Sequence, residues 1–203
     1  ENGNGTSTDW HGFTKDRVPV GILGTAAEPP FPVVWDLGMV PDQDAVAVRA
    51  VVRLKERPGL CYETPAVRVA MPRARDAAAR PEALRGRSVE LLYAEEVPRP
   101  FWSRAGRRQR CVIRLPYDPA LLQRAELHVV IWDGGRGNVA EPFTLNGHPL
   151  TVAGEGRHDV LYRVVPLQPT MLRQGENEIA VLSDTEHHGI EVLSPGPALV
   201  IRR

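Results

Sequence analysis

The feature of this sequence that most constrains its fold is a run of strand-like segments and tight turns at residues 143–183. Asn146-Gly147 and Gly175-Glu176-Asn177 mark the two turns. Asn and Gly accept the positive φ that a two-residue type I′ turn needs, so the first pair predicts a β-hairpin. Short strands in close succession, separated by such turns, indicate one edge of a β-sandwich.

The rest of the chain shows the same pattern of short strand-like segments separated by turns. Its 203 residues, 42% hydrophobic and 25% charged, are enough for one domain with one core. We predict an all-β fold, a single jelly-roll β-sandwich of about ten short antiparallel strands with little helix. The domain is expected at residues 33–203, after an extended, Pro-rich lead-in at 1–32. The predicted strands are 33–36, 45–54, 61–71, 88–94, 110–115, 126–132, the hairpin around Asn146-Gly147, 158–165, 178–182, 189–193 and 198–202.

Helix is predicted only in short pieces. Asp118 followed by Pro119 is a good start for one helical turn, because Asp accepts free amides and Pro suits the first helical position. A second turn is expected at 170–173. The Ala- and Arg-rich residues 73–87 predict a short surface helix or a long loop, since Pro81 interrupts them.

Cys61 and Cys111 are the only cysteines, and both fall in predicted strands. An inter-strand disulfide fits a secreted sandwich, whereas two free thiols fit a cytosolic one, and the sequence leaves both open. The chain begins at Glu1 without a leader, as expected of a processed chain or an excised domain.

The charge is unevenly spread although its formal sum is zero. Residues 68–114 hold twelve Arg against five acids, 12 − 5 = +7, so a basic middle could face an anionic polymer. No zinc knuckle or aromatic RNA-binding signature accompanies these Arg residues, so nucleic acid is not the predicted partner. No apolar run reaches the roughly 20 residues of a membrane span.

The densest group of polar side chains lies at residues 184–191, which carry three acids and two imidazoles. His187, His188 and Glu191 are the candidate ligand-binding residues here. Carboxylates and imidazoles can bond sugar hydroxyls, transfer a proton or hold a cation. The alternative is a solvated hairpin loop whose Asp and Thr side chains cap their own backbone.

Two tryptophans supply the other candidates. Trp132 ends a predicted strand beside Asp133 and offers a stacking face for a sugar ring, although a Trp in this position can also be core. Trp102 lies in an extended, Pro-bounded segment close to Arg104. An aromatic platform beside guanidinium groups suits a uronic-acid polymer, but Trp102 could instead close one end of the sandwich.

A calcium ion is the only cofactor that the sequence suggests. Asp42 and Asp44, with Asp36 nearby, could ligate it through their carboxylates, but a Pro-Asp turn accounts for the same residues. No nucleophile elbow, phosphate loop, dinucleotide fingerprint or zinc-protease motif is present, which weakens an enzyme interpretation.

The segments 143–150, 161–167 and 172–182, with sequences FTLNGHPL, LYRVVPL and LRQGENEIAVL, resemble the galactose-binding-like domains of carbohydrate-binding modules and glycoside hydrolases. The resemblance covers residues 125–203 best and implies a fold rather than a particular sugar. It implies a non-catalytic domain that binds a polysaccharide or oligosaccharide, is secreted with a glycan-degrading system and can be linked covalently to a catalytic module. Two alternatives are open: a structural accessory domain, and an enzyme that uses His187, His188 and Glu191.

Overall fold

The computed structural model describes residues 23–71 and 86–203, and within them the fold is all-β, as predicted. The described ranges contain fourteen strands. The first six are β1 Ala45–Val48, β2 Val51–Leu54, β3 Arg57–Glu63, β4 Val67–Ala70, β5 Val89–Tyr93 and β6 Trp102–Ser103. The others are β7 Gln109–Leu115, β8 Arg124–Asp133, β9 Phe143–Leu145, β10 His148–Pro149, β11 Asp159–Leu167, β12 Gly175–Val181, β13 Ile190–Val192 and β14 Ala198–Arg202.

Two sheets enclose the core. One sheet has the order β10-β9-β12-β7, and the other has the order β5-β14-β8-β13-β6, with β11 paired to β8. β13 and β14 pair with different ends of β8, so they share one edge of that strand. One buried cluster takes Ile113, Phe143 and Ile179 from the smaller sheet and Leu127 and Ile131 from the larger. The two sheets therefore pack face to face as a β-sandwich.

The central strand β8 follows the predicted alternation. Leu127, Val129 and Ile131 are 0–1% exposed and face the core. Side chains on a strand alternate between the two faces of the sheet, so Val130 and Trp132 lie on the opposite face. We call that surface of the larger sheet its outer face.

The predicted hairpin is present. Leu145 and His148 are register partners across β9 and β10, which leaves Asn146 and Gly147 as the two turn residues. Their φ angles are 51° and 83°, both in the left-handed region that a type I′ turn requires. The predicted turn after Asp118 is also present as a 3-10 turn, Pro119–Leu121, whose Ala120 amide donates to the Asp118 carboxylate at 2.9 Å.

Three strand predictions were wrong in detail. The strand predicted at 61–71, with an interruption at Pro65, belongs to two separate strands, β3 and β4, which pair with different partners. Residues 33–36 form no strand, and Val34 there is 90% exposed with no strand beside it in the described ranges. Residues 45–54 are two strands rather than one, because β1 pairs with β4 while β2 pairs with β3. The break comes where the amide of Ala50 donates to the Thr64 hydroxyl at 3.0 Å and its carbonyl accepts from the Thr64 amide at 3.0 Å.

The cysteines are not bridged. Cys61 lies exposed in β3, and Cys111 lies buried in β7, both as free thiols. Residues 1–22 and 72–85, which include most of the predicted lead-in and of the Ala- and Arg-rich insertion, lie outside the described residues. The domain limits at 33–203 stay a prediction. In the described ranges no helix has the length and hydropathy to cross a membrane.

Candidate functional site

Three predicted site residues form a row across the larger sheet. Glu191 in β13 is the register partner of Trp102 in β6 on one side and of Trp132 in β8 on the other. Residues directly opposite in neighbouring strands project from the same face and lie within side-chain contact distance. The row therefore lies on the outer face, with the carboxylate between the two indoles.

A pocket of about 520 Å³ opens beside this row. Its walls come from β6, the end of β8 and the loop that precedes β13. Six of the seven predicted ligand-binding residues line it: Trp102, Arg104, Trp132, His187, His188 and Glu191. The structure thus brings together residues from three distant parts of the chain, while their binding of a ligand stays a prediction.

Trp132 belongs both to the core and to the pocket. It is 7% exposed and packs with Val160 and Leu193 in a small cluster on the outer face. Its ring also meets the imidazoles of His158 and His188 edge-on, with centroid distances of 5.6 and 5.8 Å. The two interpretations of Trp132 are therefore compatible, because packing fixes most of the ring while one edge reaches the pocket.

His158 is a neighbour of the site that the sequence did not reveal. Its ring lies 4.9 Å from that of His188, and its amide donates to the Asp133 carbonyl at 2.8 Å. His158 stands just before β11, and only the pairing of β11 with β8 brings it beside Trp132. No local pattern around residue 158 indicates this contact.

Arg104 and Trp102 form a stacked pair. The guanidinium carbon of Arg104 lies 3.8 Å from the centre of the Trp102 ring, within the range of a cation–π interaction. Trp102 is half-buried, so it does not project freely into solvent. The pair presents an aromatic surface and a positive charge to the pocket as one unit.

Asp133 has a different place from the one predicted. Its carboxylate is fully buried and does not line the pocket. One oxygen accepts from the amides of Gly135 and Gly154 at 3.2 and 3.0 Å, and the other accepts from Glu155 at 3.0 Å. Asp133 therefore holds the loop after β8 against residues 154–155 instead of facing a ligand.

A pair of buried hydroxyls ties the pocket loops together. Ser103 accepts from the Ser183 amide at 2.8 Å and donates to the Arg107 carbonyl. Ser183 in turn donates to the Gly135 carbonyl at 2.8 Å. Two of these bonds, from the Ser183 amide to Ser103 and from the Ser183 hydroxyl to Gly135, join segments far apart in the chain, so sequence reasoning missed both serines. They fix the relative positions of the three segments that form the pocket.

Two glycines permit the close approach of these segments. A Cβ at Gly189 would lie 1.8 Å from the Ser103 carbonyl oxygen, and one at Gly134 would lie 2.5 Å from the Gly189 carbonyl oxygen. The Gly134 amide donates to that same Gly189 oxygen at 2.8 Å. Any side chain at these positions would push β6, β8 and β13 apart.

The described residues contain no group of three His, Cys, Asp or Glu side chains spaced to hold a metal ion. At the suggested calcium position, the Asp36 carboxylate accepts from the Gly38 amide at 2.8 Å, as in an ordinary Asx turn. The geometry of this part of the chain therefore does not support the predicted calcium site.

A second polar group lies further along the outer face. The His128 ring is 2.5 Å from the Tyr162 hydroxyl through Nδ1 and 3.2 Å from the Glu126 carboxylate through Nε2. Arg124 pairs with the same carboxylate at 2.6 Å. Burial, and then the charge of Glu126, raise the pKa of the Tyr162 phenol. Arg124, Glu126 and His128 therefore form a row of polar contacts along β8, and Tyr162 joins it from β11. The row lies outside the pocket.

Comparison with known proteins finds no matching family model and no matching curated protein. Among solved structures, the chain is similar to a β-porphyranase of glycoside hydrolase family 86 from the human gut bacterium Bacteroides plebeius, with 15% identity and a TM-score of 0.43. That match covers 82% of this chain and 31% of the other. A second match, BuGH86wt in complex with neoagarooctaose, has 14% identity and a TM-score of 0.41, and covers 81% and 29%. The chain thus spans less than a third of either structure.

Proposed function

We propose that this chain is a carbohydrate-binding domain whose ligand occupies the pocket beside Trp102 and Trp132. The observation that carries the proposal is the row in which Glu191 stands between the two tryptophans. Sugar rings present apolar C–H faces and a rim of hydroxyls. An aromatic surface with a few fixed polar groups complements both properties.

The lining supplies each kind of contact. Trp102, where Arg104 leaves it uncovered, and the exposed edge of Trp132 offer apolar surface, and the Glu191 carboxylate can accept hydrogen bonds from hydroxyl groups. His187 and His188 can either donate or accept, according to tautomer. A volume of about 520 Å³ lies within the range of small-ligand sites and fits a short segment of a glycan.

Binding fits this pocket better than hydrolysis. Most glycoside hydrolases place two carboxylic acid groups on either side of the scissile bond. Of the described residues that line the pocket, Glu191 alone carries a carboxylate. Asp133, the nearest predicted acid, is fully buried and accepts three backbone amides. The enzyme alternative nevertheless keeps one supporting observation, which is that His187, His188 and Glu191 meet in one pocket.

A structural accessory role is the other alternative. Val52, Leu60 and Tyr62 share one face of the β2–β3 ribbon and are each 45–73% exposed. Such a face would suit contact with a neighbouring module. A secreted or extracellular location and a linked catalytic module are part of the same proposal, since polymeric glycans are processed outside the cell.

Affinity electrophoresis and calorimetry against a panel of neutral and acidic polysaccharides test the proposal. We expect binding to at least one glycan, and a loss of at least about tenfold in affinity for Trp102→Ala and for Glu191→Gln. Tyr93→Ala is the matched control, because this exposed tyrosine lies on the same face away from the pocket. Absence of binding to every glycan at low salt would refute the proposal.

An assay for reaction products distinguishes an enzyme from a binding domain. The same glycans are incubated with the protein, and new reducing ends and unsaturated products are measured. If products form, a His187→Ala and His188→Ala double variant should abolish them under the enzyme hypothesis. Full turnover by that variant would exclude these histidines, whereas binding without products supports the binding domain.

A further inference from the structure

We propose that the pocket selects a glycan bearing an acidic group, a carboxylate or a sulfate, and that Arg104 binds this group. This inference rests on the proposed carbohydrate-binding function and names the class of ligand. Its starting point is the Arg104 guanidinium, which lies 3.8 Å above the Trp102 ring inside the pocket lining.

Arg104 differs in its contacts from Arg110 and Arg114, two arginines of β7. Arg110 pairs with Glu178 at 3.1 Å, and Arg114 pairs with Glu95 at 2.9 Å. Arg104 has no carboxylate partner within residues 23–71 and 86–203. Among the described residues its guanidinium stacks on an indole and makes no ion pair, so an incoming anion would not have to displace one of their acids.

The stack also prepares Arg104 for binding. A guanidinium held against an aromatic ring has already lost much of its side-chain freedom, so binding an anion costs less further entropy. Its planar fork of N–H donors matches the two oxygens of a carboxylate or sulfate. The guanidinium covers one face of Trp102, so a sugar that packs against the edge of this ring lies within reach of the charge.

The surrounding loop strengthens the preference for negative ligands. Residues 97–110 contain five Arg and no Asp or Glu. Arg107 and Arg108 are exposed beside Arg104, and their field would attract a polyanion. Glu191 stands on the next strand. Its carboxylate can accept hydrogen bonds from the hydroxyl groups of the same sugar while Arg104 binds the acidic group.

The test compares glycans that differ in their acidic groups. Calorimetry at low and moderate salt is run with polygalacturonate, a sulfated galactan, neutral agarose-type galactan and single-stranded DNA. We expect the wild-type protein to bind a polyuronate or the sulfated galactan at least about tenfold more tightly than the neutral galactan. Comparing the affinities for polygalacturonate and for the sulfated galactan shows whether the pocket prefers a carboxylate or a sulfate.

Variants then assign the preference to one side chain. Arg104→Gln should reduce affinity for the acidic glycan by about tenfold or more, and Arg104→Lys should retain part of it. Arg173→Gln is the matched control, an exposed arginine just before β12 that lies outside both the pocket lining and residues 97–110, and it should change affinity by less than about twofold. Thermal unfolding of each variant verifies that Arg104→Gln remains folded; Arg104→Lys, which keeps the charge, serves as the test if it does not.

The outcomes separate the two proposals. Equal binding of neutral and acidic glycans, with no effect of Arg104→Gln, refutes the acidic-group inference and leaves the carbohydrate-binding function standing. No binding to any glycan refutes both. Binding of single-stranded DNA alone, lost in Arg104→Gln, also refutes both and assigns the pocket to nucleic acid.

Discussion

The side-chain amide of Asn146 donates a hydrogen bond of 2.9 Å to the side-chain carbonyl of Asn177. The side-chain carbonyl of Asn146 accepts in turn from the backbone amide of Glu178 at 3.0 Å. These bonds connect the two turns that most strongly indicate a sandwich in the sequence. Asn177 is fully buried, and its amide also donates to the carbonyls of Arg173 and Gly175 at 2.9 and 3.0 Å. The two turns therefore stabilise each other.

Asn177→Asp is expected to destabilise the fold. The substitution replaces a buried NH₂ group, which donates to two carbonyls, by an oxygen that cannot donate. An unsatisfied or repelled buried polar group costs about 1–3 kcal/mol, so the free energy of unfolding in urea should fall by at least that amount. Gln123→Glu, the same kind of exchange at an exposed position, should change it by less than about 0.5 kcal/mol. Equal stability of the two variants would contradict the role of Asn177.

Asp133→Asn tests the reassigned role of this carboxylate. The two carboxylate oxygens accept from three amides, and one of them would become an NH₂ group facing the Gly or Glu155 amides. We expect a loss of about 1–3 kcal/mol in the free energy of unfolding. Glu141→Gln, an exposed acid in the following loop, is the control and should be nearly neutral. A stable Asp133→Asn protein would show that the loop does not depend on this carboxylate.

Gly189→Ala should disturb the contact between β6 and β13. The new methyl carbon would lie 1.8 Å from the Ser103 carbonyl oxygen, so the backbone must move. Overpacking of this kind costs typically about 1–3 kcal/mol, and chemical denaturation should reveal it. At Gly59 a new Cβ meets nothing within 4 Å, so Gly59→Ala should be neutral or slightly stabilising. The prediction fails if both alanine variants unfold at the same denaturant concentration.

The two cysteines should differ sharply in reactivity. Cys61 is exposed, whereas burial, followed by the charge of Glu178, raises the pKa of Cys111 from 9.0 to about 12. The thiolate is the reactive form, so Cys111 should resist alkylation in the native protein at pH 8. Mass spectrometry should find one modified cysteine natively and two in denaturant. Labelling of both thiols in the native state would contradict the buried position of Cys111.

The raised pKa of Cys111 also predicts a loss of stability at alkaline pH. The unfolded thiol releases its proton above pH 9.0, whereas the folded thiol keeps its proton until about pH 12. The stabilising contribution is therefore complete below pH 9.0 and declines as the pH rises towards 12. The slope is at most about 1.4 kcal/mol per pH unit for one proton. The stability difference between the wild-type protein and Cys111→Ala should accordingly narrow between pH 8.5 and 10.5.

Local sequence patterns predicted where strands and turns lie better than they predicted which strands pair with each other. The alternation in β8 placed Leu127 and Ile131 on one face, and Asn146-Gly147 predicted the hairpin, because both signals depend only on neighbouring residues. The division of 45–54 into two strands escaped prediction, since it depends on pairing with other segments: β1 pairs with β4, whereas β2 pairs with β3.

The sequence by itself determined the β class, the turns and the residue types suited to a ligand, because these follow from backbone preferences and side-chain chemistry. Only the tertiary structure decided that Trp102, Trp132 and Glu191 form one row and that Asp133 is internal. The pairing of strands that are far apart in the sequence determines which side chains come into contact. This pairing is made by backbone hydrogen bonds, which every residue type except proline can form, so no local sequence pattern predicts it. The pocket is therefore a consequence of the register of β13 between β6 and β8.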